Sequence, residues 1–206
     1  MDMLSLRRFI KDLVSYKKMI FLSLALFTVG IVLGAAGSEA IVRLVAPQLE
    51  GLREYSRELS QSSVPELSFF KFIFINNAVK SVAIILLGAF LGVLPAFFLL
   101  MNGMVLGLIV ALAAEQGENL FDLIVLGLLP HGIIEIPAIL IASAYGLQFG
   151  YLTLKGIGEL GARDREDRTV DWRGFFGAAG RGAFWIVIFL LVAAVIESTV
   201  TYHLVR

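Results

Sequence analysis

Met19 to Ala36 carries no charged side chain at all, and runs of this kind recur down the chain. Asn76–Leu94, Ala96–Ala114 and Ala183–Val200 are of similar length and almost as apolar. A helix needs about 20 such residues to cross the ~30 Å hydrocarbon core of a bilayer. Of the 206 residues, 58% are hydrophobic and only 17% charged, with mean hydropathy +0.87. A soluble domain of this length cannot bury that much apolar surface. The sequence therefore predicts an all-α polytopic membrane protein. The first run follows Lys17 and Lys18 without a clear small-residue cleavage site, so it reads as a retained helix and not a secretory signal.

The longest apolar stretch, Leu120–Lys155, decides the span count. A straight helix of that length would be on the order of 54 Å long, well beyond the core. Proline removes a backbone donor and glycine weakens a helix, so Pro130-His131-Gly132 is the expected break, with Pro137 beyond it. This gives a half-helix or re-entrant segment, Leu120–Leu129, and then a full span from Ile133 to Leu154. The expected architecture is five transmembrane helices plus that half-helix. The charges agree. Arg7, Arg8, Lys11, Lys17 and Lys18 precede the first span, and Lys155, Arg163, Arg165, Arg168, Arg173 and Arg181 precede the last. Five crossings put both basic segments on the cytoplasmic side of a multi-pass cell-membrane protein, with the C-terminus external.

One transmembrane domain, 1–206, accounts for the whole chain. Residues 1–18 form a cytoplasmic amphipathic helix: Leu6, Phe9, Ile10 and Leu13 share one face, suited to the membrane surface or to packing on the cytoplasmic loop. Residues 37–70 form an external helical loop with Leu49, Leu52 and Leu59 among charges, and 156–181 form a solvated cytoplasmic loop. Formal net charge is +0, which gives no bias toward nucleic acid. Zero cysteines exclude disulfides and thiolate chemistry. No HExxH, nucleophile elbow or phosphate-binding loop is present, so no enzyme is expected.

Four glycine pairs are spaced four apart inside apolar segments: Gly30/Gly34, Gly88/Gly92, Gly103/Gly107 and Gly146/Gly150. Such a pair makes a flat strip on which another backbone can pack, within the chain or between chains of a homodimer or small oligomer. Against this apolar background stand Asn76, Asn77, Lys80, Asn102, His131, Glu135 and Glu197. Polar groups in lipid face the protein interior and pair with one another. Three readings of His131 and Glu135 follow. They satisfy groups freed by the helix break, with His131 bridging to Asn76 or Asn77 and Glu135 accepting from that cluster or pairing with Lys80. They carry protons or ions. Or they ligate a divalent metal, which would need a third ligand from elsewhere; no other cofactor is expected.

Three motifs carry a family resemblance. "FINNAVKSVAIILLGAFLGVLP", "LLMNGMVLGLIVA" and "LLPHGIIEIPAILIASAYG" occur in this order within Phe69–Gly150. A double Asn opening a span, an Asn-Gly with a further Gly four residues on, and a PHGxxExPA element together resemble the stage II sporulation protein M family. The resemblance implies a multi-span protein whose signature positions here are Asn76, Asn77, Asn102, Gly103, His131, Gly132, Glu135 and Pro137. In endospore formers the named member is implied to anchor cell-wall hydrolases that move the engulfing membrane. The expected function is a non-enzymatic membrane scaffold or assembly partner, docking a protein partner at the external loop. The competing expectation is a small channel or transporter with a proton- or metal-linked site at His131/Glu135.

Overall fold

The computed structural model describes residues 4–117, 119–122, 124, 129–161 and 169–196. Every regular element among them is helical: α1 Leu6–Ser15, α2 Lys17–Ala35, α3 Glu39–Ser60, α4 Pro65–Leu87, α5 Val93–Glu115, α6 Leu120–Asp122, α7 Leu129–Gly158 and α8 Trp172–Ile196. Five of these, α2, α4, α5, α7 and α8, are long and apolar enough to cross a membrane. Their outward faces are apolar too, with Phe21 69% and Val32 64% exposed, as suits side chains that meet lipid.

Three helix boundaries depart from the sequence reading. The second span is not Asn76–Leu94 but Pro65–Leu87, so Asn76 and Asn77 sit in mid-helix and not at its outer end. Hydropathy treats an Asn pair as an end, whereas paired amides can stay inside a span. The reversal to α5 falls at Gly88–Gly92 instead of Pro95, with Leu91 (φ 56) and Gly92 (φ 77) both left-handed. Pro95 lies in the first turn of α5, where a missing N–H leaves no bond unmade. The same logic corrects the break expected at Pro130 and Gly132. α7 runs unbroken from Leu129 to Gly158, with Pro130, His131 and Gly132 in its first turn and Pro137 inside it. Only Leu120–Asp122 of the expected half-helix is a described helix. Residues 123 and 125–128, the loop residues 162–168 and Glu197 lie outside the described residues.

The glycines set the packing. An ideal Cβ on Gly30 would lie 2.5 Å from the Leu100 carbonyl oxygen, and one on Gly34 would overlap the Met104 carbonyl. From the other side, Gly103 abuts Phe27 and Gly30, and Gly107 abuts Ile31 and Ala35. Residue numbers rise together along this seam, so α2 and α5 run parallel. The second seam is built alike: Gly88 meets Gly146 and Gly92 meets Gly150, which makes α4 and α7 parallel. α8 is antiparallel to α7, with Trp172 against Gly156 and Gly182 against Tyr145. At one end of the bundle α3 lies over α5, burying Val45 against Met104, Val105 and Leu108.

α1 is fixed to α8 toward the other end. Phe9 is buried beside Trp185 and Phe189. Arg181 donates to both Asp12 oxygens, from Nε at 2.8 Å and Nη2 at 3.1 Å. The Trp185 indole N–H donates to the Leu4 carbonyl at 3.1 Å. Tyr16, stacked edge-on to Tyr145, is held above the ordinary tyrosine range by burial and then by Asp12. Both Asp12 and Arg181 are largely buried, and a bidentate charged pair holds geometry that a single bond would not. Arg181→Ala should therefore lower stability by about 2 kcal/mol and expose α1 to protease while the five spans persist. Melting and limited proteolysis in detergent check this; unchanged protection of α1 would count against the clasp.

Candidate functional site

Three helices bring polar side chains to one level. On α4, Asn77 lies near the middle of Leu67–Leu87. Its amide Nδ2 donates to Glu135 Oε1 of α7 at 2.8 Å. Asn76 Nδ2 donates in turn to Asn77 Oδ1 at 3.3 Å. The contact is possible because α4 and α7 run parallel, and the Gly88–Gly146 seam lies eleven residues (about three turns) further along each helix. Lys80, the other partner offered for Glu135, lies one turn past Asn77 and is exposed. It makes no direct ion pair with it among the described residues.

Asn102 belongs to α5 and uses its Nδ2 on its own helix, donating to the Phe98 carbonyl at 2.8 Å. It does not join the Asn76–Asn77–Glu135 chain. It meets Glu135 across a cavity of about 600 Å³ between α2, α5 and α7, where Phe27, Ile31, Leu106 and Ile136 supply most of the wall. Among the described residues, Asn102 and Glu135 are the only polar side chains lining it. The backbone of His131 lies in the first turn of α7, but its side chain lies outside the described residues, and so does its expected bridge to an asparagine. The same holds for one member of the two-ligand metal set, His131 and Glu135. Among the described residues no three His, Cys, Asp or Glu side chains gather as a metal group would require.

The sequence reading passed over four buried hydroxyls. Ser23, Ser81 and Ser143 are buried on α2, α4 and α7, and Tyr145 is buried beside Gly182; none of the four hydroxyls has a hydrogen-bond partner among the described residues. Their only sequence signal is a small or aromatic residue within an apolar run, which composition does not separate from packing.

A family model described as Stage II sporulation protein M matches residues 23–202. The chain belongs to the stage II sporulation protein M family. The match takes in α2 from Ser23 onward, the other four long apolar helices, both glycine seams and the Asn77–Glu135 contact. It begins after α1, so the Asp12 end of the clasp is outside the family match. Neither a curated protein nor a solved structure matches the chain.

Proposed function

We propose that this stage II sporulation protein M family member is a non-enzymatic scaffold or assembly partner in the cell membrane. The observation that carries the reading is the Asn76–Asn77–Glu135 chain: these three polar side chains inside the spans bond to one another and tie α4 to α7. Two glycine seams hold α2 to α5 and α4 to α7 by close backbone contact, a frame suited to a platform. In this reading α1 and the α7–α8 connection are cytoplasmic, on the positive-inside rule, while α3 and the C-terminus are external.

The external docking surface is α3. Its inner side holds Val45 against α5 and Tyr55 against Phe72 of α4, with ring centroids 4.9 Å apart. Its outer side leaves Val42 and Leu44 exposed beside the Arg43–Glu39 pair. A photocrosslinker at Leu44 in native membranes should capture a protein partner, either another protein or a second copy. Adducts to lipid alone would overturn the scaffold reading. Cysteines at Ser5 and Thr169 should both label from the cytoplasmic face and one at Gln61 from outside; labelling of Ser5 and Thr169 from opposite faces would sink the five-span orientation.

A further inference from the structure

We propose that α1 is an interfacial anchor for anionic phospholipid: Leu6, Ile10 and Val14 enter the acyl region, and Arg7 and Lys11 hold the phosphates of lipid head groups. This role is independent of whether the bundle is a scaffold or a conductor. One side of α1 belongs to the bundle. Phe9 is buried against α8, and Asp12, Leu13 and Tyr16 are half-buried on the same side. The next face is open. Leu6, Ile10 and Val14 are spaced four apart, so they stack along one stripe of the helix, and they are 45%, 52% and 63% exposed. Arg7 and Lys11 each follow one residue later, which sets them beside that stripe, and both are exposed. Asp12 is the only acid in α1, and its carboxylate is taken by Arg181, so it does not offset these two cations. Lys17 and Lys18, also exposed, open α2 just beyond.

The clasp holds α1 at the level where the spans end. Asp12 bonds to Arg181, and the next residue of α8, Gly182, packs on Tyr145 of α7, whose ring meets Tyr16 edge-on. Gly146, the next residue of α7, packs on Gly88, where α4 ends and the chain turns back into α5. Tyr16 itself precedes Lys17, the first residue of α2. The start of α2, the α4–α5 reversal and the C-terminal end of α1 thus share one level. Membrane helices begin and turn back at the edge of the hydrocarbon core, because only there can loop backbone reach water. A short helix at that depth, with an apolar stripe beside a cationic one, places the first among acyl chains and the second among head groups. A nucleic acid or a solvated acidic segment would meet the cations but leave Leu6, Ile10 and Val14 in water. An anionic phospholipid meets both, with apolar burial and charge attraction acting together.

The chain has no native cysteine, so a single fluorophore at Ile10→Cys reports on α1 in the full protein. The labelled protein is placed in mixed phosphatidylcholine and phosphatidylglycerol vesicles, with the acyl chains of one lipid or the other brominated as quenchers. At equal mole fraction, brominated phosphatidylglycerol should quench the label about threefold more effectively than brominated phosphatidylcholine. The same label at Val32→Cys, an exposed site near the other end of α2, should be quenched alike by both. Arg7→Gln combined with Lys11→Gln should abolish the preference at residue 10 while leaving the quenching itself, and high salt should shrink it. Both side chains are exposed, so the double variant should melt as the wild type does. No quenching at residue 10 by either lipid, equal quenching by the two, or a preference that survives in the folded double variant overturns the proposal. So does a label that lipid fails to quench but added polyglutamate shields from aqueous iodide, which assigns the face to an acidic protein.

Discussion

Gly34→Leu and Gly88→Leu are each expected to prevent assembly of the bundle. At both positions the obstacle to a side chain is backbone: the Met104 carbonyl faces Gly34 and the Gly146 carbonyl faces Gly88. Overpacking against side chains commonly costs 1–3 kcal/mol because rotamers can shift. A helix backbone cannot turn aside, so even Ala at these sites should cost about 3 kcal/mol, at the top of that range, and Leu more. Gly180 supplies the control. It is helical, within α8, and a Cβ there meets nothing within 4 Å. Gly180→Ala should be neutral or stabilise by roughly 0.5–1 kcal/mol through helix propensity. Melting in detergent distinguishes the cases; Gly34→Ala and Gly180→Ala behaving alike would refute close backbone packing. Gly88→Leu has a second expected effect. It separates α4 from α7 along the seam that sets the register of Asn77 and Glu135, so the polar contact should be lost with it.

Much of this arrangement is legible in the chain before any coordinates. Uninterrupted apolar runs admit little besides membrane helices, and glycines spaced four apart announce close contact because they leave the backbone uncovered. What the sequence does not disclose is which helices meet. Gly30 and Gly34 could face any of the other strips, and their pairing with α5 follows only from the packed bundle. Local patterns also misplace ends. An Asn pair lowers hydropathy whether it closes a helix or sits inside one, and a proline looks like a break even in a first turn, where it costs nothing. That is why α4 begins at Pro65 instead of Asn76 and why α7 passes through Pro130–Gly132. For Glu135 the polar residues offered a donor from the Asn76/Asn77 cluster or a pairing with Lys80, and the bond comes from Asn77; what no local pattern discloses is the parallel seam that sets it. The Asp12–Arg181 clasp, between residues 169 apart in sequence, has no local signal at all.

The Asn77–Glu135 bond carries the other large expected effect. Glu135→Ala removes the acceptor at 2.8 Å and leaves the Asn77 amide without its partner in a half-buried site between helices. An unmet donor of this kind costs about 1–3 kcal/mol. Glu135→Gln keeps a carbonyl oxygen where Oε1 stands and removes only the charge, so it should melt near wild type. Asn77→Ala should lose a comparable amount, and the double variant should lose less than the sum of the two, because either deletion already breaks the bond. A coupling of about 0.5 kcal/mol or more in that cycle is the quantitative expectation; additive losses would show that the two residues act separately. The Gln variant also separates the structural role from a conducting one, since an amide accepts a hydrogen bond but cannot relay a proton. A scaffold leaves proton flux in proteoliposomes the same with Glu or Gln at 135. Flux carried by the wild type and lost in a stable Gln variant would replace the scaffold with a proton-linked channel or transporter built on the same carboxylate.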